Sequence, residues 1–129
     1  MIDMETFYGQ AKINFQLTQE DVDDIMAIAL EGGINYWCNA VNVVGLYLGE
    51  YASEQISRGG KLKLYDAEDD EIYELNIYKF MQGFTLWLEN GDDRYGAVSA
   101  DGKIDVCQID AEMADMIIQY AIFGEIVFG

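Results

Sequence analysis

The sequence contains no histidine, only seven lysines and arginines together, and just two cysteines in 129 residues. Each shortage removes a class of function. Without histidine there is no side chain that ordinarily changes charge near neutral pH, no Ser-His or Cys-His nucleophile pair, and none of the commonest zinc ligand. Seven basic residues against 24 acidic ones give a net charge of −17. Such a chain repels DNA, RNA and anionic lipid, because neutralising phosphate takes clustered Lys and Arg, so neither nucleic acid nor membrane is an expected partner. Cys38 and Cys107 are too sparse for a secreted disulfide scaffold and read as reduced thiols. No apolar run approaches the roughly 18 residues that span a bilayer, and Met1-Ile2-Asp3-Met4-Glu5 has neither a basic nor an apolar signal region. A cytoplasmic protein is the expectation.

What is present is material for one core. Residues 1–129 form one expected domain, 51% of the residues are apolar, and a chain this long buries about two-thirds of its extended surface without a metal or disulfide staple. No cofactor is implied. Residues 1–10 are expected to be a flexible N-terminus. Ile13, Phe15 and Leu17 alternate with Lys12, Asn14 and Gln16, predicting a half-buried strand over Ala11 to Leu17. Thr18 offers an N-cap with acids in the following turn, and Val22, Ile25, Met26 and Ala29 keep helical spacing up to a left-handed cap at Gly32-Gly33. Residues 34–45 fit neither pattern cleanly. Residues 50–57 read as a short helix, and Leu62, Leu64, Ile72 and Leu75 mark a β-hairpin at 61–76. Asn76 caps a helix whose stripe is Ile77, Phe80, Met81, Phe84, Trp87 and Leu88, with both Trp37 and Trp87 expected to be buried.

A surface loop follows over 91–105, with a short strand at 104–107. Asp110 then caps a final helix through Phe123 that is apolar most of the way round, so it is either central or shared with a second copy of the chain in a homo-oligomer. A last strand is expected at 125–128. The fold class is α+β, about four helices packed on a short, mostly antiparallel sheet.

The acids are patchy. Asp66, Glu68, Asp69, Asp70, Glu71 and Glu74 bring six carboxylates into nine residues, which reads either as a solvated hairpin tip or as an anionic projection that imitates phosphates. Glu20, Asp21, Asp23 and Asp24 form a second cluster, more than the helix dipole needs. Calcium binding fails on spacing, since no glycine stands at the sixth position of an alternating oxygen-ligand loop. The two arginines lie in Ser57-Arg58-Gly59-Gly60 and Arg94-Tyr95, the only stretches with the makings of an anion cradle; the alternative is that Gly59-Gly60 stops a helix and Arg94 pairs with a neighbouring acid. Tyrosine is abundant, suited to interface anchoring, and Cys38 has no neighbour that would activate it.

Several segments carry a resemblance: Leu17-Thr18-Gln19-Glu20-Asp21-Val22-Asp23-Asp24-Ile25-Met26, Glu31-Gly32-Gly33-Ile34-Asn35-Tyr36-Trp37-Cys38, 49–60, and 118–129. Together they resemble a family of uncharacterised small acidic proteins encoded by phages and mobile elements of gut and related bacteria. The resemblance implies a setting in a bacterial host cell, where anti-defence proteins, anti-CRISPR inhibitors among them, are common, and it transfers no catalytic residues. The leading expectation is a non-enzymatic inhibitor whose two acidic clusters occlude a basic nucleic-acid-binding host protein, such as a defence nuclease. The alternative is a sponge that sequesters a small nucleotide signal through the Arg58 and Arg94 loops. A structural protein of the element is a third reading.

Overall fold

The computed structural model of the chain describes residues 2–8 and 11–129, with side chains from residue 14 onward. Its elements are β1 (Ile2–Tyr8), β2 (Ala11–Leu17), α1 (Gln19–Ile28), β3 (Cys38–Val43), β4 (Leu62–Asp66), β5 (Ile72–Leu75), α2 (Ile77–Glu89) and α3 (Ala111–Phe123). β1 and β2 form a two-stranded antiparallel ribbon, and β3-β4-β5 a three-stranded antiparallel sheet with β4 in the middle. The architecture is a small α+β domain with three α-helices, where the sequence suggested about four.

The local signals that held are the capping ones. Thr18 accepts from the Asp21 N–H at 3.0 Å while Asp21 accepts from the Thr18 N–H, a reciprocal capping box. Asn76 accepts from the Lys79 N–H and Asp110 from the Met113 N–H, each at 2.9 Å, and Gly124 closes α3 at φ +73°. The 61–76 hairpin forms, with Leu62 opposite Leu75 and Tyr65 opposite Ile72.

Four expectations are corrected. Residues 50–57 hold only a 3-10 turn at Ala52–Glu54, because side chains take the bonds a helix would make: Glu54 accepts from the Glu50 and Tyr51 N–H groups, and buried Gln55 bridges the Leu48 N–H and the Leu46 carbonyl. Gly32-Gly33 forms no left-handed cap; α1 runs on into a π-turn, Ala29–Gly33. No strand forms at 125–128, and 104–107 contains a single bridge, Val98 to Ile104, followed by a 3-10 turn. In the 1–10 stretch, Ile2–Tyr8 is a strand paired with β2, and residues 1, 9 and 10 lie outside the described residues.

α3 is the spine of the core. Met113, Ala114, Ile117, Ile118 and Ala121 are buried inside the one chain, which makes this helix central. α2 lies directly against it, burying Phe80, Met81, Phe84, Trp87 and Leu88. The crossing is close because of Gly83: a Cβ there would sit 2.5 Å from both the Ala121 nitrogen and the Ile117 oxygen. Those neighbours are backbone and cannot rotate away. Gly83→Ala should therefore cost about 1–3 kcal/mol of overpacking despite alanine's better helix propensity. A urea midpoint equal to that of the parent protein would refute the close crossing.

Candidate functional site

The site begins with a close approach between backbones. A Cβ on Gly33 would lie 2.7 Å from the Ala111 carbonyl oxygen and 3.4 Å from the Asp115 nitrogen, so glycine is what lets the first turns of α3 settle on the π-turn. The next turn, 34–37, is closed by the Trp37 and Cys38 N–H groups on the Ile34 carbonyl, and the Ala67 N–H donates to the Trp37 carbonyl at 2.8 Å. Tyr36 and Trp37 are thereby fixed between α3 and the β4–β5 turn.

At their meeting point lies Asp115, only 5% exposed. It accepts from the Tyr36 hydroxyl at 2.6 Å, from the Trp37 Nε1–H at 2.7 Å, and from the Gln119 amide at 3.0 Å. No basic side chain pairs with it among the described residues. Hydrogen bonds to the charged form stand in for a cation. Gln119, fully buried, then reaches the C-terminal tail: its Oε1 accepts from the Val127 and Phe128 N–H groups at 2.9 and 2.8 Å, and its Nε2 approaches the Phe128 carbonyl at 3.2 Å. The Phe128 ring stacks on Trp37 with centroids 5.3 Å apart and planes within 5°.

Between these parts opens a cleft of about 690 Å³. The 34–37 turn supplies Tyr36 and Trp37, α3 supplies Glu112, Asp115 and Met116, the tail supplies Ile126, the end of β4 supplies Asp66 and the β4–β5 turn Glu68. Among the described residues neither lysine nor arginine lines it. The result is a concavity with aromatic walls and carboxylates of one sign, suited to a cationic group and hostile to an anion. No cluster of ligating side chains with metal geometry occurs among the described residues.

The predicted site residues divide into structural and available ones. Asp66 is buried and serves the hairpin turn, accepting from the Glu68 and Asp69 N–H groups and the Tyr73 hydroxyl; the Glu68 N–H, then the Tyr73 hydroxyl, hold its carboxyl below the usual range. Asp21 is committed to its capping box, and Glu74 lies 3.6 Å from Lys61. Asp23 accepts from the Ser57 hydroxyl at 2.5 Å and pairs with Arg58 at 3.2 Å. Glu20, Glu68, Asp69, Asp70 and Glu71 are exposed, and Asp24 is half-buried.

Both arginines of the suggested anion cradle are engaged within the chain. Arg58 is spent on Asp23 and on the Glu54 carbonyl at 3.0 Å, beside the turn at Gly59-Gly60, whereas Arg94 pairs with Glu112 at 3.1 Å next to Tyr95. One loop is anchored to α1, the other to the start of α3. Both guanidinium groups are already neutralised by this chain's own acids.

Asp115 and Gln119 escaped the sequence reading because their helix was taken as apolar all round. The signal was there: Glu112, Asp115 and Gln119, an acid, an acid and an amide, recur at helical spacing in an otherwise apolar helix. Cys38 is buried, and burial pushes its thiol up, while Cys107 is exposed.

Three tyrosines each donate to a carboxylate and are pushed up to about 12, by burial first and then by the bonded acid: Tyr36 on Asp115, Tyr73 on Asp66 and Tyr120 on Asp92. An unfolded tyrosine ionises near 10, so below that pH their contribution is fully present, and it is lost as pH rises from 10 to 12. Phenolate absorbance should show a late class of three, and Asp115→Asn should move one of them back toward 10. A single titration step for all tyrosines, in folded protein, would contradict these bonds. No family model, characterised protein or solved structure matches the chain, so its residues alone carry the functional reading.

Proposed function

We propose that the protein is a non-enzymatic inhibitor that docks through its acidic surface on a basic nucleic-acid-binding protein, of the defence-nuclease type, and occludes the nucleic-acid cleft. The observation that carries this reading is the β4–β5 turn. Glu68, Asp69, Asp70 and Glu71 are exposed there, and the turn is braced from within by Asp66, so the charges sit on a fixed frame. Glu68 also borders the carboxylate-lined cleft, which makes the two features one continuous anionic face. With 24 acids against seven bases, encounter with a basic surface is steered over a Debye length of about 10 Å at 0.1 M salt.

The test uses purified RNA-guided DNA nucleases and fluorescence anisotropy of their target DNA. Excess protein should displace the DNA from at least one of them, more weakly as salt rises. Combined Glu68→Lys, Asp69→Lys and Asp70→Lys should weaken inhibition by about a hundredfold, with the circular dichroism spectrum unchanged. Full inhibition by the folded triple variant, or none by the parent protein, would overturn the reading.

A further inference from the structure

We propose that the cleft between the 34–37 turn, α3 and the C-terminal tail is a receptor for an arginine side chain presented by the partner. The inference rests on the docking reading above and names the chemistry of its anchor.

Size and charge come first. A volume of about 690 Å³ exceeds what one side chain fills, leaving room for the flanking backbone of a peptide. Three carboxylates of different origin line it: Glu68 from the β4–β5 turn, Glu112 from the first turn of α3, and Asp115, nearly buried in its wall. The four Asp115 contacts all come from neutral donors, so its negative charge is satisfied in hydrogen bonding yet uncompensated in field. An incoming cation would bond to Glu68 and Glu112 and feel Asp115 at longer range.

Shape selects guanidinium over ammonium. Tyr36 is 54% exposed although its hydroxyl is pinned to Asp115, so a preset aromatic face stands at the mouth of the cleft. A guanidinium stacks on such a face and at the same time offers paired N–H groups to carboxylates, whereas an ammonium is a compact, strongly hydrated point charge.

An independent observation comes from the chain's own arginine. The Arg94 guanidinium already rests on Glu112 at 3.1 Å, with both side chains about half exposed or more (48% and 67%). Glu112 thus accepts a guanidinium at the rim, in a surface pair weak enough to exchange. Arg94 acts as an internal competitor of the arginine that would enter.

The experiment titrates the ¹⁵N-labelled full chain with acetyl-Gly-Arg-Gly-amide at millimolar concentration, following the Trp37 indole N–H resonance. Its donor bond to Asp115 makes that proton a reporter in the cleft wall. The arginine peptide should shift it saturably, the lysine peptide should bind several-fold more weakly, and the citrulline peptide, matched in shape but uncharged, should leave it unmoved. Glu68→Gln combined with Glu112→Gln should lose at least tenfold in affinity with the free-state indole resonance unchanged, and Arg94→Ala should bind more tightly than the parent.

Equal binding of citrulline and arginine, or an unchanged affinity in the double glutamine variant, would overturn the proposal. Nuclease inhibition without any response to the arginine peptide would sink the receptor and leave the docking reading standing. Arginine binding without nuclease inhibition would do the reverse.

Discussion

Asp115 is a buried carboxylate with no cation paired to it among the described residues, and the candidate site is assembled around that fact. Taking a carboxylate out of water costs several kcal/mol, which neutral donors must offset at about 1.5–3 kcal/mol for each bond to a charged group. Tyr36, Trp37 and Gln119 supply those bonds from two segments distant in sequence, and through Gln119 the tail becomes a third. Remove the carboxylate and the Trp37 N–H, the Tyr36 hydroxyl and the Gln119 amide all lose their shared acceptor. The junction is polar, but it fixes the relative position of the surrounding apolar packing: Phe128 and Phe123 lie on Trp37 because Trp37 is held.

Two close approaches make this arrangement reachable. Gly33 admits the start of α3 to the π-turn, and Gly83 admits α2 to the middle of α3. Neither glycine has a positive φ, so their value lies in the missing Cβ. α3 is consequently clamped on two sides by backbone, and its polar residues are aimed by helices that cannot slide apart without opening voids in a close-packed core.

Legibility in the sequence followed the range of the interaction. Thr18, Asn76 and Asp110 were readable as caps because the bond closes within three residues, and the hairpin because its alternation is local. Residues 50–57 misled because Glu54 and Gln55, good helix formers, bond instead to loop backbone on their N-terminal side. Gly32-Gly33 looked like a stop signal, and nothing in the sequence told that Gly33 faces the Ala111 carbonyl. The acid clusters were visible as composition, but which acids were spent was not: Asp23 answers Ser57 and Arg58 some 34 and 35 positions away. Asp115 and Tyr36, 79 apart, are joined only by the tertiary fold.

Gln119 grips the tail through main-chain atoms alone, the N–H groups of residues 127 and 128 and one carbonyl. The path of the tail is therefore independent of the side chain at Ile126, although that side chain faces the cleft. Anchoring and cleft lining fall to different atoms of the same segment. Substitutions at this position can reshape the wall of the site while its scaffold stays put, an arrangement that makes binding preference evolvable without renegotiating the fold.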